Sequence, residues 1–115
     1  MDRKTVNIFR ALSDPNRLRI VKMLEERELC VCEVREVLNL STSTVSKHLS
    51  ILRDAGLIID WKDGKWVNYK LNTSIPNDLI RPLLSVLKRG LADERQILQD
   101  REKVKHVNRK KLCGL

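Results

Sequence analysis

Two cysteines separated by a single residue, Cys30 and Cys32, form the most reactive pair in this sequence. Thiolates are soft ligands that select thiophilic ions over hard cations. On a regular helix, residues two apart point about 200° away from each other, so the two thiols can hold one ion only where the backbone leaves the helical path. Both lie where a helix is predicted to begin, and a helix N-terminus favours thiolate. The alternative is that both are small buried apolar side chains, which is common for cysteine.

Polar and basic side chains line one face of a helix predicted over residues 42–55, whose opposite face carries Val45, Leu49 and Leu52. Hydroxyl, amide and cationic groups on such a face suit phosphates and base edges. An ordinary solvated face is the alternative, and for His48 packing at the helix edge is an equal alternative. The candidate DNA contacts on this helix are Thr42, Ser43, Thr44, Ser46, Lys47, His48, Ser50 and Arg53.

Three shorter helices are predicted before the basic one. The first covers residues 4–12, the second covers residues 15–26 after an N-cap at Asp14, and the third covers residues 30–38. A short polar break at 39–42 then separates the third helix from the basic helix. Two helices joined by a turn of three or four residues are typical of a helix-turn-helix.

Residues 57–71 alternate apolar and polar side chains around Asp63-Gly64, which predicts a β-hairpin. A hairpin directly after a helix-turn-helix forms a wing. Lys62 and Lys65 lie beside its predicted tip, and we expect both to contact DNA.

An apolar stripe with helical spacing follows the wing. A small domain has little left to bury such a stripe, so packing against a second copy of the chain is its predicted use. Burial in the chain's own core is the alternative. The predicted dimer interface consists of Phe9, Ile80, Leu84, Leu87 and Leu91.

The chain has 115 residues and a net charge of +8, which suits one compact domain with an anionic partner, nucleic acid first. We expect that domain over residues 1–100 and a flexible basic tail over 101–115. No apolar run reaches the ~18 residues of a membrane span. The start of the sequence lacks the apolar stretch of a secretory signal, and three cysteines do not suggest a disulfide framework. These features predict a cytoplasmic protein without a membrane partner.

Enzyme chemistry has little support in the sequence. Ser46 and His48 are two residues apart on one helix, so they do not face each other as a nucleophile and its base should. No glycine-rich phosphate loop and no histidine-rich metal cluster is found in the sequence. We therefore expect neither an enzyme nor a required cofactor.

Three stretches, 28–33, 43–49 and 63–69, together resemble the ArsR/SmtB family, bacterial winged-helix repressors that metals and metalloids release from DNA. The Leu-Cys-x-Cys-acidic stretch is similar to the thiol box of the arsenite-responsive and the cadmium/lead-responsive members. The resemblance covers roughly residues 5–98. It implies a mostly α (α+β) winged helix-turn-helix in the order α-α-α-α-β-β-α that dimerises through its terminal helices.

The resemblance also implies a function. We expect a homodimeric repressor of arsenical resistance that binds double-stranded operator DNA and leaves it when As(III), or Sb(III), binds Cys30 and Cys32. Cadmium, lead or zinc as inducer is the runner-up. A cytosolic metalloid carrier that never binds DNA and a thiol redox sensor are the alternatives from other classes.

The sequence departs from the family in two places. Arg35 occupies the position where the arsenite repressors commonly have a third cysteine, and Asp93 and His106 do not complete the zinc site found on the last helix of other members. The third thiol of this chain is Cys113, in the basic tail. We expect a site with two protein thiols, for which Cys113 is dispensable.

Overall fold

The computed structural model describes residues 2–73 and 79–112, so Cys113 lies outside the described part of the chain. Within these ranges the helices and strands are α1 (Arg3–Leu12), α2 (Pro15–Glu26), β1 (Leu29–Cys30), α3 (Val31–Leu38), α4 (Thr42–Asp54), β2 (Ile58–Asp63), β3 (Trp66–Leu71), α5 (Ile80–Arg89), α6 (Arg95–Val104) and α7 (Arg109–Leu112). The strands form one antiparallel sheet in the order β1-β3-β2. The fold is a winged helix-turn-helix, mostly helical, with a small sheet.

The predicted helix boundaries rest on local capping. The Asp14 carboxylate accepts hydrogen bonds from the backbone N–H groups of Asn16 and Arg17, at 2.8 and 3.1 Å, and so starts α2. The Ser41 hydroxyl accepts from the Thr44 N–H at 3.2 Å and starts α4. Asn39, in the left-handed region at φ 56°, ends α3. The turn of the helix-turn-helix is therefore three residues long, as predicted.

The predicted hairpin is confirmed, but its turn lies one residue later than expected. Asp63 is the last residue of β2 and pairs with Trp66, so Gly64 and Lys65 form the two-residue turn. Gly64 has φ 63°, and a positive φ at the first turn position is typical of a type II′ hairpin, which favours glycine there.

The predicted element order lacks β1, a strand of two residues that pairs with β3. A strand this short has no alternating pattern that could reveal it. It places the start of α3 against the inner strand of the wing.

The single final helix predicted from the apolar stripe is wrong, because the chain bends between α5 and α6. Gly90, the C-cap of α5, is extended, and Leu91 follows with a left-handed φ of 62°, so the helical path ends there. The Lys22 ammonium donates to the carbonyls of Leu87, Lys88 and Gly90, at 2.6, 3.3 and 3.1 Å. These carbonyls would otherwise need partners from a continuing helix.

The domain boundary predicted at residue 100 falls inside helix α6, which continues to Val104. Asp100 is 1% exposed and receives two hydrogen bonds from Arg19 of α2, at 2.8 and 3.0 Å. Val104, four residues later, is 2% exposed. Residues 101–104 and 109–112 therefore lie in α6 and α7, which pack on α2 and α3.

Two residues of the predicted dimer interface lie in the chain's own core. Ile80 and Leu84 are buried in the same cluster as the apolar residues of α2 and α4. Gly56, at φ 82°, lets α5 approach closely, since a Cβ there would lie 3.1 Å from the Ile80 Cδ1 atom. None of the described helices is long and apolar enough to cross a bilayer.

Candidate thiol site and nucleic-acid interface

Cys30 occupies the junction between the sheet and the helix-turn-helix. It pairs with Asn68 of β3 and is also the N-cap of α3, with φ −93° and ψ 170°. Cys32 is the second residue of α3 and is half-buried. The backbone therefore leaves the helical path at Cys30, so the opposed directions expected of residues two apart on a regular helix do not apply to these two side chains.

The Cys30 thiol is 1% exposed, and its surroundings act against the expected thiolate. Burial raises the pKa of this thiol, and the negative charge of Glu33 adds to the rise, while a backbone hydrogen bond lowers it. The net effect is a raised pKa. The neutral thiol is thus the resting form, and a cation must displace its proton.

Glu33 is a buried carboxylate that ties the thiol pair to the C-terminal helices. Its Oε1 atom accepts a hydrogen bond from the Cys30 N–H at 2.9 Å, and its Oε2 atom pairs with Arg27 at 3.2 Å. The Arg27 guanidinium also donates to the carbonyls of Val104 and Val107, at 3.0 and 2.9 Å. One guanidinium therefore joins the thiol site to the end of α6.

The number of ligands at the thiol site is limited. No group of three or more histidine, cysteine or acidic side chains that could hold a metal occurs among residues 2–73 and 79–112. Among the described residues, Cys30 is a free cysteine, and Cys113 is outside them.

The polar face of α4 lies as predicted. Val45, Leu49 and Leu52 are fully buried on the inner face. Apart from His48 and Arg53, four of the predicted DNA contacts on the other face are exposed and two are half-buried. The exposed ones are Thr42, Ser43, Thr44 and Lys47, and the half-buried ones are Ser46 and Ser50.

His48 points toward the body of the protein, where Arg17 of α2 lies 3.2 Å from its Nδ1 atom. A guanidinium can only donate, so Nδ1 accepts and the ring proton is on Nε2. Arg17 also donates to the carbonyls of Ala11 and Arg10, at 2.7 and 3.2 Å. His48 thereby fixes α4 against α1 and α2.

Arg53 pairs with the wing. Its guanidinium lies 3.1 Å from the Asp60 carboxylate of β2 and 3.4 Å from Asp54. The hydrogen bond to Asp60 raises the pKa of Arg53 further. Two acidic neighbours offset its charge, so Arg53 holds α4 against β2.

The wing carries Lys62 and Lys65, both exposed at its outer end as predicted. The Lys65 ammonium lies 5.3 Å from the centre of the Trp66 ring, and Lys70 lies at the same distance from Trp61. Both tryptophans are half-buried, which fits packing within the wing.

Arginines outside the predicted set also reach these surfaces. Arg35 donates to the Thr42 hydroxyl at 3.3 Å, which places a cation at the start of α4. Arg109 of α7 reaches the wing through Asp63. Their partners are seven and 46 residues away in sequence, so no local pattern predicts these contacts.

The predicted dimer residues divide into two groups. Phe9 and Leu91 are exposed large apolar side chains, whereas Ile80 and Leu84 are buried and Leu87 packs partly on the core. Val86 and Leu98, 57% and 49% exposed, add two apolar side chains near the bend between α5 and α6.

The described fold and surfaces define a winged helix-turn-helix protein, and comparison with known sequences gives its family. Residues 14–60 match the family described as "Bacterial regulatory protein, arsR family". The chain is also 34% identical over 84 residues to the transcriptional repressor SdpR of Bacillus subtilis, covering 73% of this chain and 93% of that one. The chain belongs to the arsR family of bacterial regulatory proteins.

Two further relatives carry the names of metal resistance. The arsenical resistance operon repressor of Escherichia coli is 46% identical over 72 residues, and the match spans 62% of each chain. The cadmium resistance regulatory protein CadC of Listeria innocua is 47% identical over 62 residues, 53% of this chain and 52% of that one. The chain thus spans less than two thirds of the length of either relative.

Solved structures agree with this placement. HlyU from Vibrio cholerae superposes with a TM-score of 0.64 at 33% identity and covers 77% of this chain and 96% of that one. The homodimeric winged helix-turn-helix domain Mb0332 from Mycobacterium bovis has a TM-score of 0.63 at 19% identity, with coverages of 91% and 86%. The curated relatives SdpR, the arsenical resistance operon repressor and CadC are transcriptional repressors or regulators and not enzymes, as expected from the sequence.

Proposed function

We propose that the protein is a transcriptional repressor that binds operator DNA as a homodimer and leaves it when trivalent arsenic, or antimony, binds Cys30 and Cys32. The observation that carries the proposal is the position of the two cysteines, at the junction of β1 and α3 and directly before the helix-turn-helix. Membership of the arsR family and the 46% identity to an arsenical resistance operon repressor support it.

The switch follows from this position. Both thiols can bind one ion only if the buried Cys30 moves, because it is 1% exposed. Such movement disturbs the pairing of Cys30 with Asn68 and its hydrogen bond to Glu33. Since α3 supports α4, the displacement reaches the DNA-binding face. A coupling free energy of about 1–3 kcal/mol suffices for a useful change in affinity.

DNA binding is proposed for the exposed face of α4 and for the wing. The N-terminal turn of α4 would enter the major groove, and the dimer would place two such helices on a pseudo-palindromic site. The homodimeric state of the Mb0332 domain supports a dimer here. The proposed site of action is the cytoplasm.

A cadmium- or lead-responsive repressor is the second candidate, and its support is the 47% identity to CadC over 62 residues. The thiol pair suits either class of ion, because both are thiophilic.

A mobility-shift assay tests the proposal. The reduced protein is mixed with a duplex taken from the region upstream of its own gene, and arsenite, antimonite or cadmium is added. We expect a shifted band that arsenite removes at lower concentration than cadmium does. Release by cadmium alone would establish the second candidate, and the absence of any shifted band would contradict repression.

A further inference from the structure

Arg109 of α7 makes three contacts with the wing. Its guanidinium pairs with the Asp63 carboxylate at 2.9 Å and donates to the Asn68 side-chain oxygen at 3.0 Å. It also lies over the Trp66 ring, 4.1 Å from its centre. The Arg109 side chain is 27% exposed, so these contacts occupy most of its surface.

These contacts fall on the part of the wing that has the least other support. Beyond Asn68, β2 and β3 pair only with each other, because β1 reaches no further than Cys30 opposite Asn68. An isolated two-stranded hairpin is marginally stable in water. Arg109 adds contacts from α7 at the outer end of this hairpin, where Asp63 pairs with Trp66.

The contacts also change the charge of the wing. Asp63 is an acidic residue beside the exposed Lys62 and Lys65, and its carboxylate would repel a phosphate backbone. The pair with Arg109 offsets that charge. Asp63 also accepts a hydrogen bond from the Asn68 amide at 3.3 Å, so the three side chains form one network.

The base of this arrangement is fixed on the thiol site. Val107, two residues before Arg109, offers its carbonyl to Arg27, and Arg27 pairs with Glu33. The segment 105–112 is therefore fixed beside the thiol pair through Val107 and contacts the wing through Arg109.

We propose that Arg109 is a positioning residue for the wing: it clamps the hairpin, through Asp63 and Trp66, in the orientation that binds duplex DNA. The proposal rests on the proposed function only for its DNA-binding part. The clamp itself is a property of the free protein and is tested separately.

The test uses the full chain with Trp61→Phe as the parent, so that Trp66 is the single tryptophan. Arg109→Gln removes the clamp, and Arg101→Gln is the matched control. Arg101 pairs with Glu26 of α2, at 3.3 Å, and its removal changes the net charge equally. We expect Arg109→Gln to shift the emission of Trp66 and raise its quenching by acrylamide, and Arg101→Gln to change neither.

DNA affinity is measured with a fluorescein-labelled mixed-sequence duplex at low salt. We expect Arg109→Gln to weaken binding about fivefold and Arg101→Gln less than twofold. The double variant Asp63→Asn with Arg109→Gln should bind no more weakly than Arg109→Gln alone, because both changes remove the same contact.

Unchanged Trp66 emission in Arg109→Gln would overturn the clamp. Equal losses of affinity in the two arginine variants would overturn its role in binding, since a uniform loss reflects charge alone. If the parent itself fails to bind DNA, the proposed function fails, and the Trp66 emission still decides whether the clamp exists.

Discussion

Cys30 is a buried thiol at a position that a ligand must reach. Its side chain has almost no exposed surface, and its N–H is held by the Glu33 carboxylate. Under the proposed function an ion binds only with local rearrangement, and that rearrangement would be the physical link between the inducer and the fold. A fully exposed thiol pair would bind without moving anything.

Replacing either cysteine by serine should preserve DNA binding and abolish release by arsenite. Serine is close in size to cysteine and is a good N-cap residue at position 30, but it is a poor ligand for a soft ion. The measurement is arsenite-dependent release in the mobility-shift assay and induction in a reporter strain.

Cys113→Ser is the matched control for this experiment, and it should be induced like the parent. X-ray absorption on the arsenite complex should then give two sulfur ligands. Normal induction of Cys30→Ser or Cys32→Ser would place the site elsewhere, and three sulfurs that fall to two in Cys113→Ser would add that residue to the site.

The pH dependence of binding should separate the two candidate inducers. Arsenous acid and two thiols give an arsenic dithiolate and two waters, with no proton released, whereas Cd²⁺ displaces two protons. Because burial raises the pKa of Cys30, its thiol keeps its proton at neutral pH. Cadmium affinity should thus rise with pH until that pKa is passed.

Competition titrations between about pH 6 and 8 measure this difference. We expect arsenite affinity to be nearly flat and cadmium affinity to rise by up to about a hundredfold per pH unit, tenfold for each proton displaced. A cadmium affinity that stays flat over this range, together with an arsenite affinity that falls as the pH rises, would show that the thiols are already ionised and would contradict the raised pKa.

The thiol pair and the polar face of α4 can be predicted from the local sequence, but the side chains that contact them cannot. Cys30 and Cys32 are recognisable from type and spacing, and Lys47 from its place on an amphipathic helix. The Arg27–Glu33 pair and the Arg17–His48 contact depend on how helices pack. The local sequence around an arginine does not distinguish an arginine that binds phosphate from one that donates to a backbone carbonyl nearby in the fold.

Helix α4 presents its hydroxyl groups and Lys47 to solvent while its apolar face holds it in the core. Lys47→Gln should weaken DNA binding and reduce the slope of log affinity against log salt by about one, the value for one phosphate contact. Fluorescence anisotropy at several salt concentrations measures both. Lys103→Gln, on the exposed face of α6, is the control, and an equal change of slope in both variants would count against this placement.

The bend between α5 and α6 depends on Lys22, whose ammonium serves three carbonyls and the Glu25 carboxylate, 2.8 Å away. Lys22→Ala would leave these buried groups without their partner. We expect the free energy of unfolding to fall by about 2–4 kcal/mol. Urea denaturation measures the loss, and the exposed Lys88→Ala should change the midpoint little. Equal midpoints would mean that solvent replaces Lys22.

The helices and the hairpin were predictable because their signals are local: caps at Asp14 and Ser41, and Gly64 in the turn. β1 and the end of α5 were not. The apolar spacing continues from Leu87 through Leu91 to Leu98, but the chain bends at Leu91, because a lysine 65 residues before Leu87 caps the carbonyls. The spacing of apolar residues predicts the apolar face of a helix. It does not predict which helix ends are capped by side chains distant in sequence.

Among the described residues, large apolar side chains are exposed on α1 and near the bend between α5 and α6, which supports the proposed dimer. Phe9→Glu should give a monomer at micromolar concentration, with little loss of folding stability, because the side chain is 52% exposed. Light scattering measures the mass, and urea denaturation checks the fold. Leu87→Glu is a poorer test, because Leu87 also packs on the core. A dimer that survives Phe9→Glu would exclude a central role for α1.

The burial of Cys30 also limits the rate at which an inducer can bind. An ion outside the protein meets a closed site, so it must wait until β1 and the start of α3 separate. The rate of release from DNA should therefore rise with arsenite at low concentration and then level off at the opening frequency of the site. Under the proposed function, Cys30 would therefore act as a timer as well as a ligand: an exposure to arsenite shorter than the opening interval would leave the genes repressed, and a sustained one would not.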